Sequence, residues 1–211
     1  MSRQTRSTAK RLTRIRATTP ATRVPDQESR LFDDVNAWES WLDENHSSNS
    51  GLWLRLAKKD SGVSSVTYDE ALDVALCFGW IDGQRKALDA QHFIQRFTPR
   101  RKGSLWSKRN VNKVASLIEL GKMQPSGQAE IDAAQADGRW ERAYSSSSNA
   151  EVPKDFQAAL DDDKAAGDFF KSINRTQRYS FLQRLETAKC PETRQKRIEQ
   201  FVTLLASGKC L

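Results

Sequence analysis

The sequence predicts an α+β fold, and three observations predict it. A capping box, Thr67-Tyr68-Asp69-Glu70, opens a run with one apolar face that Gly79 closes. Two strand-like runs follow at Trp80–Leu88 and Gln91–Phe97, joined through Asp89-Ala90 as in a β-hairpin. Beyond Pro153 only helical periodicity remains.

Taken in order, Asp33–Asn45 reads as a helix, since Val35, Trp38, Trp41 and Leu42 recur at helical spacing behind a capping Asp33 or Asp34. Ser47–Gly51 is a loop. Leu52-Trp53-Leu54-Arg55-Leu56 alternates only loosely, and its apolar density predicts a largely buried strand. After the capping-box helix and the hairpin, Pro99–Ser104 is a basic turn. Ser107 then caps a helix whose buried stripe is expected at Val111, Val114, Ala115 and Ile118, ending near Gly121. Pro125 or Ser126 opens another short helix, finished by Asp137-Gly138. In the last third, Pro153 starts a helix carrying Phe156, Ala159 and Leu160. Asn174 with Gln177 forms a second capping-box-like start into Tyr179, Leu182 and Leu185. Pro191 opens the final helix, lined by Ile198, Phe201, Val202 and Leu205 and ended by Gly208. The expected organisation is a disordered basic tail over 1–28, an α+β domain over 29–142, a serine-rich linker over 143–150 and a helical module over 151–211.

Charge narrows the choice of partner less than the total suggests. The net +7 and pI of about 9.4 invite a nucleic-acid reading. Yet seven of the 34 basic residues precede Asp26, the first acid, so the other 27 balance the 27 acids. The tail is rich in Arg, Ser and Thr and poor in aromatic residues, a composition that buries too little to order itself. It reads as a solvated arm, with a mitochondrial transit peptide, a nuclear address or a nucleic-acid tether as alternatives. No run of about 18 apolar residues is present, and no secretory apolar core stands near the start. The expectation is a soluble intracellular protein without membrane insertion, cytoplasmic first, with mitochondrial or nuclear settings left open by the tail.

Motifs for common chemistries are missing. The chain has no phosphate-binding glycine loop, no dinucleotide fingerprint, no zinc-protease helix and no serine-nucleophile elbow. Cys77, Cys190 and Cys210 are widely spaced, and with only His46 and His92 no metal site and no cofactor are expected. A Cys77–His92 nucleophile and base is a coincidence of residue types.

One region concentrates groups that recognise anions. Trp80, Asp82, Arg96, Thr98, Arg100, Arg101, Ser104, Trp106, Ser107 and Asn110 fall on the hairpin, the basic turn and the next helix start. Guanidinium forks pair with carboxylate or phosphate and stack on indoles, and helix-start amides favour anions. The alternative is structural: Trp80 and Trp106 as core anchors, Asp82 paired with Arg96, and a solvated turn. Arg194 and Arg197, on the outer face of the last helix, are a weaker candidate for partner binding.

Residues Val66–Ala71, Ala75–Gly83, Phe97–Arg101 and Ser104–Ser107 resemble the signature of the YdeI/OmpD-associated (OmdA, bacteriocin-protection) family. So do Asn110, Gly121-Lys122-Met123, Asp137–Trp140, Pro153, Asp155, Arg178-Tyr179, Thr193-Arg194 and Arg197-Ile198. The match runs in order from about residue 30 to the C-terminus. It implies a YjbR/CyaY-like α+β fold for the N-terminal part and an OmdA-type helical module behind it. It carries over no catalytic residue, while associating some members with bacteriocin or cationic-peptide resistance and with an outer-membrane porin. The basic tail departs from the usual bacterial pattern. The function expected is a non-catalytic binding or stress-protection protein that engages an anionic small molecule or an acidic protein segment through the hairpin and basic turn. Two rivals are a nucleic-acid-associated protein working through residues 1–25, and an enzyme on a small anionic metabolite with Asp82 as acid/base and Arg96 and Arg100 as clamps.

Overall fold

The computed structural model describes residues 29–211, so the expected tail lies outside the described residues. The chain runs β1 (Ser29–Leu31), α1 (Val35–Asn45), β2 (Leu52–Ala57), α2 (Tyr68–Cys77), β3 (Trp80–Ala87), β4 (His92–Pro99), α3 (Lys108–Glu119), α4 (Pro125–Ala136), α5 (Lys154–Asp162), α6 (Lys164–Ser172), α7 (Arg175–Glu186) and α8 (Pro191–Ala206). An α+β fold is what the sequence predicts.

Local chemistry starts each of the secure elements. Asp34 Oδ1 accepts the Ala37 amide at 2.8 Å and fixes the start of α1. At α2 the box is reciprocal: the Glu70 amide donates to Thr67 Oγ1, and the Thr67 amide to Glu70 Oε2. Gly79 takes φ +74° and turns the chain into β3, where a side chain would crowd the Ser126 carbonyl. Asp89 Oδ1 accepts the amides of Gln91 and His92, at 2.7 Å each, and holds the hairpin turn.

The four strands form one mixed sheet in the order β1-β2-β4-β3. β4 lies antiparallel to both β2 and β3, and a bulge interrupts the β3–β4 register between Asp82 and Arg85. β1 pairs parallel with β2. Strand alternation sends Leu54, Leu56, Phe97 and Trp80 to the face covered by α1 and α2. There Trp38 stacks on Trp41 at 5.4 Å, and Trp41 meets the edge of Trp80 at 5.9 Å. A second core, around Phe156, Phe170, Phe181, Phe201 and Leu205, is enclosed by α5 to α8.

Between the two cores the chain is clasped. Ser145 is buried, its amide and hydroxyl donate to Glu186 at 3.0 and 2.7 Å, and its carbonyl accepts the Tyr179 hydroxyl at 2.7 Å. The preceding residue, Tyr144, bridges to Ser107 at the start of α3.

Two elements and one face differ from expectation. β1 and α6 carry no signal that the sequence reading isolates. On α3 the buried positions are Asn110, Val114 and Leu117, while Ala115 and Ile118 are exposed and Val111 is half-buried. Leu117 and Ile118 are adjacent apolar residues, so hydrophobicity alone does not decide which of them faces inward.

Candidate functional site

Parity along the strands determines where the predicted residues go. Trp80 and Trp106 are core rings, each only 1% exposed. The Trp80 indole donates to the His46 carbonyl at 3.1 Å. Asp82 stands opposite Phe97 on the helix-covered face, where its Oδ2 accepts the Tyr68 hydroxyl at 2.8 Å. Burial, then the Asp82 charge, pushes the Tyr68 phenol up to about 12. Arg96 belongs to the opposite face, directly across from Trp53. Asp82 and Arg96 are therefore separated by the sheet and form neither an ion pair nor a shared catalytic site.

Arg100 is also interior, at 6% exposure. Its guanidinium lies 3.7 Å from the Trp106 ring centroid and donates through Nη2 to the Leu105 carbonyl at 2.8 Å. Its Nε and Nη1 find no acceptor, and neither does the Trp106 indole nitrogen. Burial pulls the guanidinium down to about 10, against the fields of Glu130 and Tyr144. Arg101 is exposed on the turn, and its amide is held by Ser104 Oγ at 3.0 Å. Ser107 caps α3 through the Asn110 amide at 3.2 Å, Asn110 is buried, and Thr98 lies half-buried near the strand end. Of the predicted set, Arg100 and Trp106 come together as a packed pair, while Arg101 with Ser104 and Ser107 with Asn110 meet only in local turn and cap bonds.

The outward presentation expected of the hairpin is found on its other face, around a different tryptophan. Trp53 and Arg55 alternate with the inward Leu52, Leu54 and Leu56, and Trp53 is half-buried outside the core cluster. Lys86 Nζ lies 4.6 Å and the Arg96 guanidinium 5.8 Å from the Trp53 ring centroid. Arg55 donates to Ser29 Oγ across the parallel pair. Ile94 is fully buried on this face, with Arg55 and Lys86 directly opposite it on its two neighbouring strands. Long basic stems of this kind cover apolar surface while keeping the charge in water. Neither Lys86 nor Arg96 is in an ion pair with a described acid. The loose alternation of β2 does not mark Trp53 as outward by itself; its place follows once β2 is set beside β4.

The remaining candidates are engaged in structure. Arg194 grips Asp155 through Nε and Nη2 at 2.6 and 2.9 Å and donates to the Leu185 carbonyl, and Arg197 donates to the Arg184 carbonyl. Both arginines tie α8 to its neighbours. The Cys77 thiol is buried and pushed up to about 11, chiefly by that burial, while His92 Nδ1 contacts both Asp89 oxygens at 3.1 Å. Nothing joins that cysteine to that histidine. Among the described residues no group of three or more His, Cys, Asp or Glu is placed to hold a metal ion, and no helix is long and apolar enough to cross a membrane.

Two family models match the chain. Residues 30–130 match a domain of unknown function (DUF8412), and residues 149–208 match the model described as bacteriocin-protection, YdeI or OmpD-associated. No curated protein and no solved structure matches. The helical module built by α5 to α8 is thus similar to the bacteriocin-protection, YdeI or OmpD-associated domain.

Proposed function

We propose that the protein is a non-catalytic binding protein that engages an anionic partner on the outer face of its hairpin sheet. One observation carries this reading: Lys86 and Arg96 bracket Trp53 on a face outside the core, with no described acid to neutralise them. Cations beside an indole pair with carboxylate or phosphate while the ring supplies apolar contact. The site is one face of a sheet, which suits an extended partner such as an acidic protein segment better than an enclosed metabolite. If the protein serves in bacteriocin protection, as the name of the matched family suggests, a cationic face repels cationic peptides, so protection runs through an anionic partner.

The test compares the full chain with the Lys86→Ala/Arg96→Ala variant, using polyglutamate as the acidic probe at about 50 mM salt, where surface charges are weakly screened. The expected result is binding that weakens about tenfold or more in the variant with the melting temperature nearly unchanged. No binding by the wild type, or equal binding by both, removes the reading. A second reading, single-stranded nucleic acid, is favoured by Trp53 itself, since bases stack on exposed indoles. It requires steep salt dependence and a larger loss for Trp53→Ala on an oligonucleotide than on polyglutamate.

A further inference from the structure

The helical module holds a cleft of about 450 Å³ that no predicted residue called attention to. Its floor is apolar: Leu160, Phe170 and Leu182 are core residues, and Val152 is half-buried beside them. Its rim is basic: Lys171 at the end of α6, with Arg175 and Arg178 on the first turns of α7. No aspartate or glutamate lines it. Arg175 Nε donates to the Ser147 carbonyl at 2.7 Å, which pins that side chain across the entrance. Lys171 and Arg178 make no ion pair with a described acid. Tyr179, on the same wall, is tied to the Ser145 carbonyl, and its phenol is pushed up to about 12, first by burial.

Three cations at the mouth of an apolar cavity, none in an ion pair with a described acid, have a definite complement. The low-dielectric walls strengthen the field of the rim, so an anionic head is drawn to the mouth beside Ser147, Ser148 and Gln157, while Leu160, Phe170 and Leu182 favour an apolar tail. A volume of this size falls within the range of small-molecule sites and holds one chain or ring. We infer that the cleft is a binding site for a single amphiphilic acid, an apolar chain or ring bearing one carboxylate or phosphate, with Lys171 and Arg178 on the head group and Leu160, Phe170 and Leu182 against the tail. The site is separate from the sheet face of the N-terminal part and does not depend on the reading given to that face.

The experiment is isothermal titration of the full-length protein with decanoate and with decyl phosphate, below their micelle concentrations, beside decyltrimethylammonium and inorganic phosphate. Saturable one-to-one binding of either acid supports the site, and the stronger of the two identifies the head group. The equally long cation and the tailless anion are expected to bind at least about tenfold more weakly. Lys171→Gln/Arg178→Gln should lose about tenfold or more in affinity with an unchanged melting temperature, whereas Lys86→Ala/Arg96→Ala should bind as the wild type does. Amide shifts induced by the ligand should cluster on α6 and α7. Binding of the cation as tightly as of the acids, binding unaffected by the Lys171/Arg178 variant, shifts located elsewhere, or no saturable binding would each overturn the proposal.

Discussion

Arg100 is held in surroundings unlike those of a surface arginine: its stem and guanidinium are enclosed, an indole lies along its face, and two of its donors have no acceptor. Such a residue contributes packing and one hydrogen bond, and the charge itself is a cost. Arg100→Ala is therefore expected to lower stability by about 2–4 kcal/mol, from the cavity and the unpaired Leu105 carbonyl together. Arg100→Met, which keeps the stem and removes the unpaired donors, should cost about 1 kcal/mol or less. Urea denaturation of both variants decides this, and a methionine variant weaker than the alanine one refutes the packing account. At the cysteines, burial and a thiol near 11 protect Cys77, while Cys190 is exposed. A thiol reagent at pH 8 should label Cys190 first and reach Cys77 only on unfolding, as peptide mass spectrometry would show. The identity of the outward tryptophan was hidden in the sequence for a simple reason. Trp80 and Trp106 lie within two residues of Asp82 and Lys108 in the chain, yet both rings are buried, and only the pairing of β2 with β4 brings Trp53 to Arg96.

Among the elements, those opened by side-chain caps were legible: Asp34, Thr67–Glu70 and Asn174–Gln177 each make the bonds their spacing implies. α6 was not, because Asp163 ends α5 and caps α6 with no spacer between them, and Gly167 interrupts the pattern. β1 is three residues long and is defined by its partner alone. The helical glycines serve close approach between helices. A Cβ at Gly127 would run into the Cys77 carbonyl, and one at Gly167 would lie 2.6 Å from the Leu160 carbonyl oxygen. Alanine gains about 1 kcal/mol in helix propensity. Overpacking against backbone on both sides costs about 1–3 kcal/mol, so Gly127→Ala should lower the melting temperature. The α5–α8 clamp adds a pH dependence. The Arg194 guanidinium bonded to Asp155 holds that carboxyl below its ordinary value. Its stabilisation is thus complete above about pH 4, the unfolded carboxyl value, and is lost as pH falls through the lower folded one. Asp155→Asn should cost about 1 kcal/mol at neutral pH, reduced from a buried pair by partial exposure, and the two proteins should converge in acid.

At the scale of the whole molecule, two hydrophobic cores meet through a few polar atoms on Ser145, Glu186, Tyr179 and Lys108. Removing the acceptors strands the buried Ser145 amide without a partner. Glu186→Ala should accordingly split or broaden the calorimetric transition, where the wild type melts closer to a single step. Capping and periodicity placed the α+β part ahead of the helices, since both are local properties; the clasp between the two cores depends on residues 41 apart and left no trace in the pattern. The bulged outer strand β3 has one further effect. Its free edge carries Arg85 and Lys86 beside the irregularity at Asp82/Arg85. Unpaired strand edges recruit further copies into growing aggregates unless charge or irregular pairing discourages them. The lysine that faces Trp53 therefore also keeps neighbouring molecules apart, and a variant lacking both cations should cloud at lower concentration on gentle heating.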